Sequence, residues 1–186
     1  MKRTFDIMLS ILACLVLGIP MLIIALIIHW TSKGQVLHWS ERIGRYNEIF
    51  FMPKFRTMRI DTPQVATHLL SDPDQWITPI GRFLRKHSLD ELPQLWNILK
   101  GDMSFVGPRP ALFNQEDLID LRTKEGIHQI VPGLTGLAQI KGRDHLTIPE
   151  KVEWDKEYLR CRSFWFDLKI LFFTFFKVAK KEGIRH

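Results

Sequence analysis

From Ile7 to Ile28 the chain is almost wholly apolar, and a run of about 22 such residues reaches across a hydrocarbon layer of roughly 30 Å as a helix. Contact with a membrane is therefore the first expectation. A cleaved signal peptide suits the segment poorly, because no small-x-small cleavage site is present and the run passes into the bulky pair His29 and Trp30. Lys2 and Arg3 precede the run, while Lys33, Arg42, Arg45 and Lys54 follow it. Positive flanks at both ends place both ends on the cytoplasmic side. Gly18 and Pro20 lie near the middle, where a proline removes a backbone donor and favours a kink. Two shapes stay open on these residues: a kinked helix that crosses, and a re-entrant hairpin that enters and returns.

The whole chain is 186 residues long, which leaves room for one compact domain beside the membrane element. Residues 1–32 read as the membrane segment and 33–186 as the domain, in an α+β and mainly helical fold. Between Gln35 and Met58 short apolar runs flank Gly44-Arg-Tyr-Asn47, the pattern of a β-hairpin. Asp61 to Asp74 is polar and predicts a short helix capped by Asp61 or Thr62, then a loop at Ser71 to Pro73. Pro79 to Lys86 reads as a short basic helix. Leu92, Leu95, Trp96 and Leu99 repeat at helical spacing and end at Gly101, which assigns all four to the core. Leu112 to Thr123 and Pro149 to Cys161 read as helices, with a turn-rich stretch from Pro132 to Gly142 between them.

The tail from about 164 to 181 concentrates Trp165, Phe166, Phe172, Phe173, Phe175 and Phe176, but it also holds Asp167, Lys169 and Lys177. A spanning helix would bury those charges at high cost. An interfacial helix keeps its aromatic face at headgroup depth while Lys177, Lys180 and Lys181 meet anionic lipid; the same pattern also fits a helix packed on its own domain.

The formal charge of +6 favours anionic partners. Nucleic acid is disfavoured, because the aromatics cluster in the membrane-like segments instead of interleaving with a basic stripe. The two cysteines, Cys14 and Cys161, form no CxxC and the seven histidines show no ligand spacing. No Walker sequence or GxGxxG is present. Ser88-Leu-Asp90-Glu91 has the spacing of a capping box before an apolar helix, with Pro93 complicating which residue is the cap. Either cap puts Asp90 and Glu91 at a helix N-terminus, where free amides favour ionised carboxylates. Arg82, Arg85 and Lys86 lie just upstream. Arg109 lies downstream between Pro108 and Pro110, which restrict the backbone and lower the entropy lost when its guanidinium meets an oxyanion such as a diphosphate. Lys54 and Arg56, and Lys141 and Arg143, could add positive charge.

Taken together, Lys54-Phe-Arg-Thr-Met58, Ser88-Leu-Asp-Glu-Leu-Pro-Gln-Leu95, Leu99-Lys-Gly-Asp-Met-Ser-Phe-Val-Gly-Pro-Arg-Pro110, Pro132-Gly-Leu-Thr-Gly136 and Gly142-Arg143 resemble the bacterial sugar transferases known as small monotopic phosphoglycosyl transferases. The likeness covers nearly the whole chain, in order, including the apolar segment and the Phe-Asp-Leu-Lys start of the tail. It implies a membrane enzyme, monotopic in the bacterial inner membrane with its site facing the cytoplasm. Its donor would be a UDP-sugar and its acceptor polyprenyl (undecaprenyl) phosphate, with UMP released. It assigns the nucleophile to Asp90, gives Glu91 a role in holding Mg²⁺ or assisting proton transfer, and makes Lys54, Arg85, Arg109 and Arg143 phosphate or nucleotide contacts. It also implies that the apolar segment is a re-entrant helix broken at a Ser-Pro pair, where this chain has Ile19-Pro20. Rival expectations are direct displacement between the same substrates, and a non-catalytic protein binding at the membrane surface.

Overall fold

The computed structural model describes residues 1–62, 73–142 and 145–180, with the side chains of 73–74 and 178–180 left aside. Most of the predicted stretch from Asp61 to Asp74, together with Arg143 and Lys181, lies outside the described residues.

A single helix, α1 (Lys2–Thr31), takes up the apolar run, about 45 Å at 1.5 Å per residue. Pro20 lies inside it and leaves the Val16 carbonyl without its intrahelical donor. The helix is thus continuous through the position where the resemblance implied a break. What surrounds α1 explains how it is held. Lys2, Asp6 and Ser10 recur every fourth residue and share one face. Asp6 and Ser10 are buried, with the Asp6 carboxylate accepting from the Phe105 amide at 3.3 Å. A carboxylate facing lipid is costly; here the domain covers it. The Lys2 ammonium donates to the Val106 carbonyl at 3.0 Å and pairs with Asp167. The Arg3 guanidinium donates to the carbonyls of Ile98 and Leu99.

At the other end, Arg56 Nη2 donates to the Ser32 carbonyl and hydroxyl at 2.8 and 2.9 Å. Both ends of α1 are therefore fastened to the same domain. Between them Leu12, Leu15, Val16, Ile19, Leu22, Ile23 and Leu26 face outward, exposed.

The hairpin forms as its alternation requires: β1 (Leu37–Ile43) pairs antiparallel with β2 (Ile49–Phe55), in register from Leu37↔Phe55 to Ile43↔Ile49. Tyr46 and Asn47 adopt positive φ in the connection. Then follow α2 (Pro79–Lys86), capped by the Thr78 side chain, a 3₁₀ segment Leu89–Gln94 and α3 (Leu95–Lys100). The helical assignment of the Leu92 to Leu99 repeat needs correction. Leu95 is core, but Trp96 is 60% exposed, and the buried partners on this helix are Asn97 and Ile98. Pro93 holds the preceding turn in 3₁₀ geometry, so the faces counted from Leu92 rotate before α3 begins.

The next strand, β3 (Ser104–Val106), was hidden in what read as a loop; it pairs in parallel with β4 (Gly133–Thr135). Between them lies α4 (Glu116–Lys124), which starts four residues later than its apolar pattern suggested. The chain closes with α5 (Leu137–Lys141), α6 (Ile148–Cys161) with a full capping box at Thr147 and Glu150, and α7 (Phe164–Lys180). On α7, Asp167 and Ile170 are buried while Trp165, Phe172, Phe173, Phe175 and Phe176 are exposed. One face packs on the domain and the other is an unpartnered aromatic face. The main core joins Phe50, Met52, Leu95, Ile98, Met103, Phe105, Val106, Tyr158 and Ile170, with Leu9, Ala13 and Cys14 of α1 against it. A second cluster sets Ile28 against Phe55 and Leu84. Each burial of this kind contributes about 1.5–3 kcal/mol per large side chain, so α1 is part of the fold and not an appendage.

Candidate active site

Strand alternation builds one wall of the site. His38, Ser40 and Arg42 point to the same face of β1, opposite Lys54, Met52 and Phe50 of β2. Lys54 thus reaches inward beside two residues, His38 and Arg42, that no motif had singled out. The period-two alternation of Leu37 to Ile43 carried that signal.

The second wall is the turn after α2. Ser88 is left-handed, with φ of 54°, and makes no side-chain cap; its amide instead donates to the Arg85 carbonyl at 3.0 Å, ending α2. The expected capping box is absent for that reason. A non-glycine residue in this region costs about 1–2 kcal/mol. The sharp reversal turns Asp90 inward, where it is 8% exposed. The shift runs opposite to the one a helix N-terminus alone would give: burial pushes the Asp90 carboxyl up, and Lys54, Arg85 and Arg109 pull it back while Glu91 adds to the rise.

Two motif loops held backbone to backbone make the third wall. The Gly107 amide donates to the Thr135 carbonyl at 2.9 Å and the Gly133 amide to the Pro108 carbonyl at 2.9 Å. A Cβ on Gly133 would lie 2.1 Å from the Gly107 nitrogen, and one on Gly136 2.1 Å from the Gly107 oxygen. Only glycine allows that approach. Arg109 is fixed further by Arg122 of α4, whose Nη1 donates to the Arg109 carbonyl at 2.8 Å while its Nη2 pairs with buried Asp155 at 2.6 Å. β1 adds a backbone link, Ile43 amide to Ala111 carbonyl at 3.0 Å, and Arg42 Nη1 lies 3.4 Å from the Pro110 carbonyl.

Where the walls meet, Lys54 Nζ and Arg109 Nη2 both donate to Glu91 Oε1 at 2.8 Å. Arg85 Nε donates to Thr57 Oγ1 at 2.9 Å, and Asp90 is the carboxylate that counters its burial. Burial, then the charge of Arg109, pulls Arg42 down to about 10, with Glu91 opposing; it stays cationic near neutral pH. Lys54 and His38 are lowered as well, each by burial first. Among the described residues, four cations, Arg42, Lys54, Arg85 and Arg109, stand around the carboxylates of Asp90 and Glu91, a field that suits an anionic ligand.

Five of the sequence-predicted residues are accounted for here: Lys54, Arg85, Asp90, Glu91 and Arg109 come together. Arg143 lies outside the described residues. Arg56 is turned to Ser32 and Lys141 lies over the Trp154 ring at 4.8 Å, so both serve the fold. Among the described residues no group of three or more His, Cys, Asp or Glu could cage a metal. Mg²⁺ does not require one, since it commonly binds through one or two carboxylates plus substrate phosphates. Asp90 and Glu91, two adjacent carboxylates, match that smaller demand in type and number.

The sequence profile of the family described as bacterial sugar transferase matches residues 1–181. The chain is 42% identical over 187 residues to UDP-glucose:undecaprenyl-phosphate glucose-1-phosphate transferase of Escherichia coli, covering 95% of this chain and 40% of that protein. It is 36% identical to undecaprenyl-phosphate galactose phosphotransferase of Salmonella typhimurium, over 98% of this chain and 41% of that one. It spans far more of uncharacterized sugar transferase EpsL of Bacillus subtilis, at 39% identity over 100% of this chain and 90% of EpsL. The chain thus covers about two fifths of the length of the two relatives with assigned reactions. The profile match spans all three walls of the site, and this chain belongs to the bacterial sugar transferase family.

Proposed function

We propose that the chain transfers a phosphosugar from a UDP-sugar to polyprenyl phosphate at the cytoplasmic face of a bacterial inner membrane. The observation that carries this reading is the inward-turned Asp90 beside a Glu91 already gripped by Lys54 and Arg109. Names of relatives supply the substrate classes; the chemistry follows from the residues.

An Asp90 oxygen attacks the phosphorus that bears the sugar. The bond from that phosphorus to the bridging oxygen breaks, UMP leaves with the electron pair, and the sugar phosphate is held on Asp90 as an acyl phosphate. An oxygen of the polyprenyl phosphate then attacks the same phosphorus, forming the lipid diphosphosugar and freeing the Asp90 carboxylate. Arg109 and Lys54, drawn from Glu91 toward the diphosphate, offset the charge on the leaving phosphate, and Arg85 and Arg42 extend the same field. Arg143 belongs to this set by its motif. Glu91 would help hold Mg²⁺, which when bound would supply Lewis-acid stabilisation of phosphate oxygens.

The membrane geometry supports a lipid acceptor. With both ends of α1 tied to one domain, the apolar helix enters the bilayer without carrying either end across, the monotopic arrangement. Its domain stays at the surface where a soluble donor meets a lipid phosphate.

The test omits the acceptor. Detergent-solubilised protein with Mg²⁺ and a panel of UDP-sugars should release UMP and gain one phosphosugar on the peptide containing Asp90, read by mass spectrometry. Release of UMP only when polyprenyl phosphate is also present would replace the covalent route by direct displacement. No turnover with any sugar and acceptor would remove the transferase reading in favour of surface binding.

A further inference from the structure

We propose that the outer face of the β1–β2 hairpin, together with Trp96 of α3, rests on the same bilayer that receives α1. The hairpin has two faces, and only the inner one serves the site. On the outer face Trp39, Ile49 and Phe51 are 48%, 58% and 57% exposed, and Trp96 beside them is 60% exposed. They border a shared groove of about 560 Å³. A soluble surface seldom gathers apolar side chains of this size in one place without a partner, and tryptophan concentrates where lipid meets water.

Continuity with α1 names the partner. On this same hairpin face the first cross-strand pair, Leu37 and Phe55, packs against Met21, Ile24, Ala25 and Ile28 of α1. The face therefore begins beneath the membrane helix and runs out from it toward Trp39 and Phe51. On its other side α3 bridges back: the Asn97 side-chain amide donates to the Phe51 carbonyl at 2.9 Å, and Arg3 of α1 holds the carbonyls of Ile98 and Leu99. From there Phe5 meets Phe164 of α7, ring centres 5.3 Å apart, and α7 carries its own outward aromatic face. Hairpin, α3, α1 and α7 are thus joined by contacts, and each carries exposed apolar side chains, although Arg45, Glu48, Lys100 and Asp102 also line the hairpin groove. A second copy of the chain could cover the hairpin patch alone, but it would leave the continuation along α1 unexplained.

Docking of this face would set the height of the site. Lys54 and Arg42 point the other way from the same two strands, so a hairpin lying on the headgroups holds its cations one strand thickness above them. That consequence rests on the transferase reading; the docking itself does not.

The test reads depth and needs no turnover. In a chain with Cys14 and Cys161 changed to serine, Phe51→Cys is labelled with an environment-sensitive fluorophore and the protein is placed in vesicles of phosphatidylethanolamine and phosphatidylglycerol. Glu153→Cys, exposed on α6, is the reference position. Quenching at position 51 by shallow spin-labelled lipid, with protection from aqueous iodide, and the reverse at position 153, is the expected result. Equal iodide quenching at both positions overturns the proposal. Iodide protection at 51 without lipid quenching, accompanied by two chains per particle, assigns the face to a second copy and overturns it as well. A label at Ile49→Cys repeats the measurement should the first variant fold poorly, and activity of the same samples separates loss of docking from failure of the transferase reading.

Discussion

Two buried carboxylates are each clamped by arginine, and they behave differently. Asp155 faces Arg122 across α4 and α6, one anion to one cation, with the second arm of the guanidinium satisfied by the Arg109 carbonyl. Glu91 accepts from Lys54 and Arg109 on a single oxygen, with Arg42 and Arg85 close by and Asp90 next in sequence. Among the described residues the first is dominated by one ion pair, whereas the second gathers four cations around two carboxylates. Burying a charge is costly unless it is paired, so a structural pair balances itself, while a gathering of cations suits an anionic ligand. Arg122 links the two centres by holding the loop on which Arg109 stands.

That contrast is open to attack by mutation. The largest effect belongs to Asp90→Asn, which should cut turnover by more than about 10³-fold while leaving the unfolding temperature nearly unchanged; a folded variant with ordinary turnover would break the assignment. Arg122→Met should do the opposite and lower stability by about 3–5 kcal/mol in denaturant unfolding, because Asp155 is left charged and unpaired. The double change Arg122→Met with Asp155→Leu should recover most of that loss, and failure to recover would mean that the pair does more than balance charge. Arg109→Lys should reduce kcat/KM about 10²-fold, since an ammonium cannot present the guanidinium fork to a diphosphate. The smallest effect is one of pH. Because burial raises Asp90, the acid limb of kcat/KM should lie above the ordinary aspartate value of about 3.9. Lys54→Met removes a charge that opposes the rise, so it should move that limb to still higher pH. A limb that stays in place would mean that another group sets it.

Sequence patterns made the hairpin, α2, α6 and α7 legible, because each has a local signature: alternation around a turn, a capping residue before proline, or a polar face with an aromatic one. They made Lys54, Asp90, Glu91 and Arg109 legible through motif order. Trp96 was misassigned because Pro93 changes the helical pitch before α3 starts, which no count from Leu92 detects. The spacing left Ser88, Leu89 and Asp90 as possible caps; Ser88 takes the cap position but its left-handed backbone makes no side-chain cap bond. Arg42 and His38 needed the register with β2, and β3 needed its distant partner β4. What escaped was set either by local backbone geometry, as at Ser88 and Pro93, or by a strand partner, as at His38, Arg42 and β3.

The polar stripe of α1 bears on the order in which the chain can be completed. Lys2 finds Asp167 across 165 residues, and Asp6 finds the Phe105 amide across 99. α1 thus acquires its ion-pair partner from α7, made well after it, and long-range closures of that kind are slow steps in folding. Until α7 arrives, Lys2 lacks its ion-pair partner, so synthesis of α7 is also the step that completes the seat of α1.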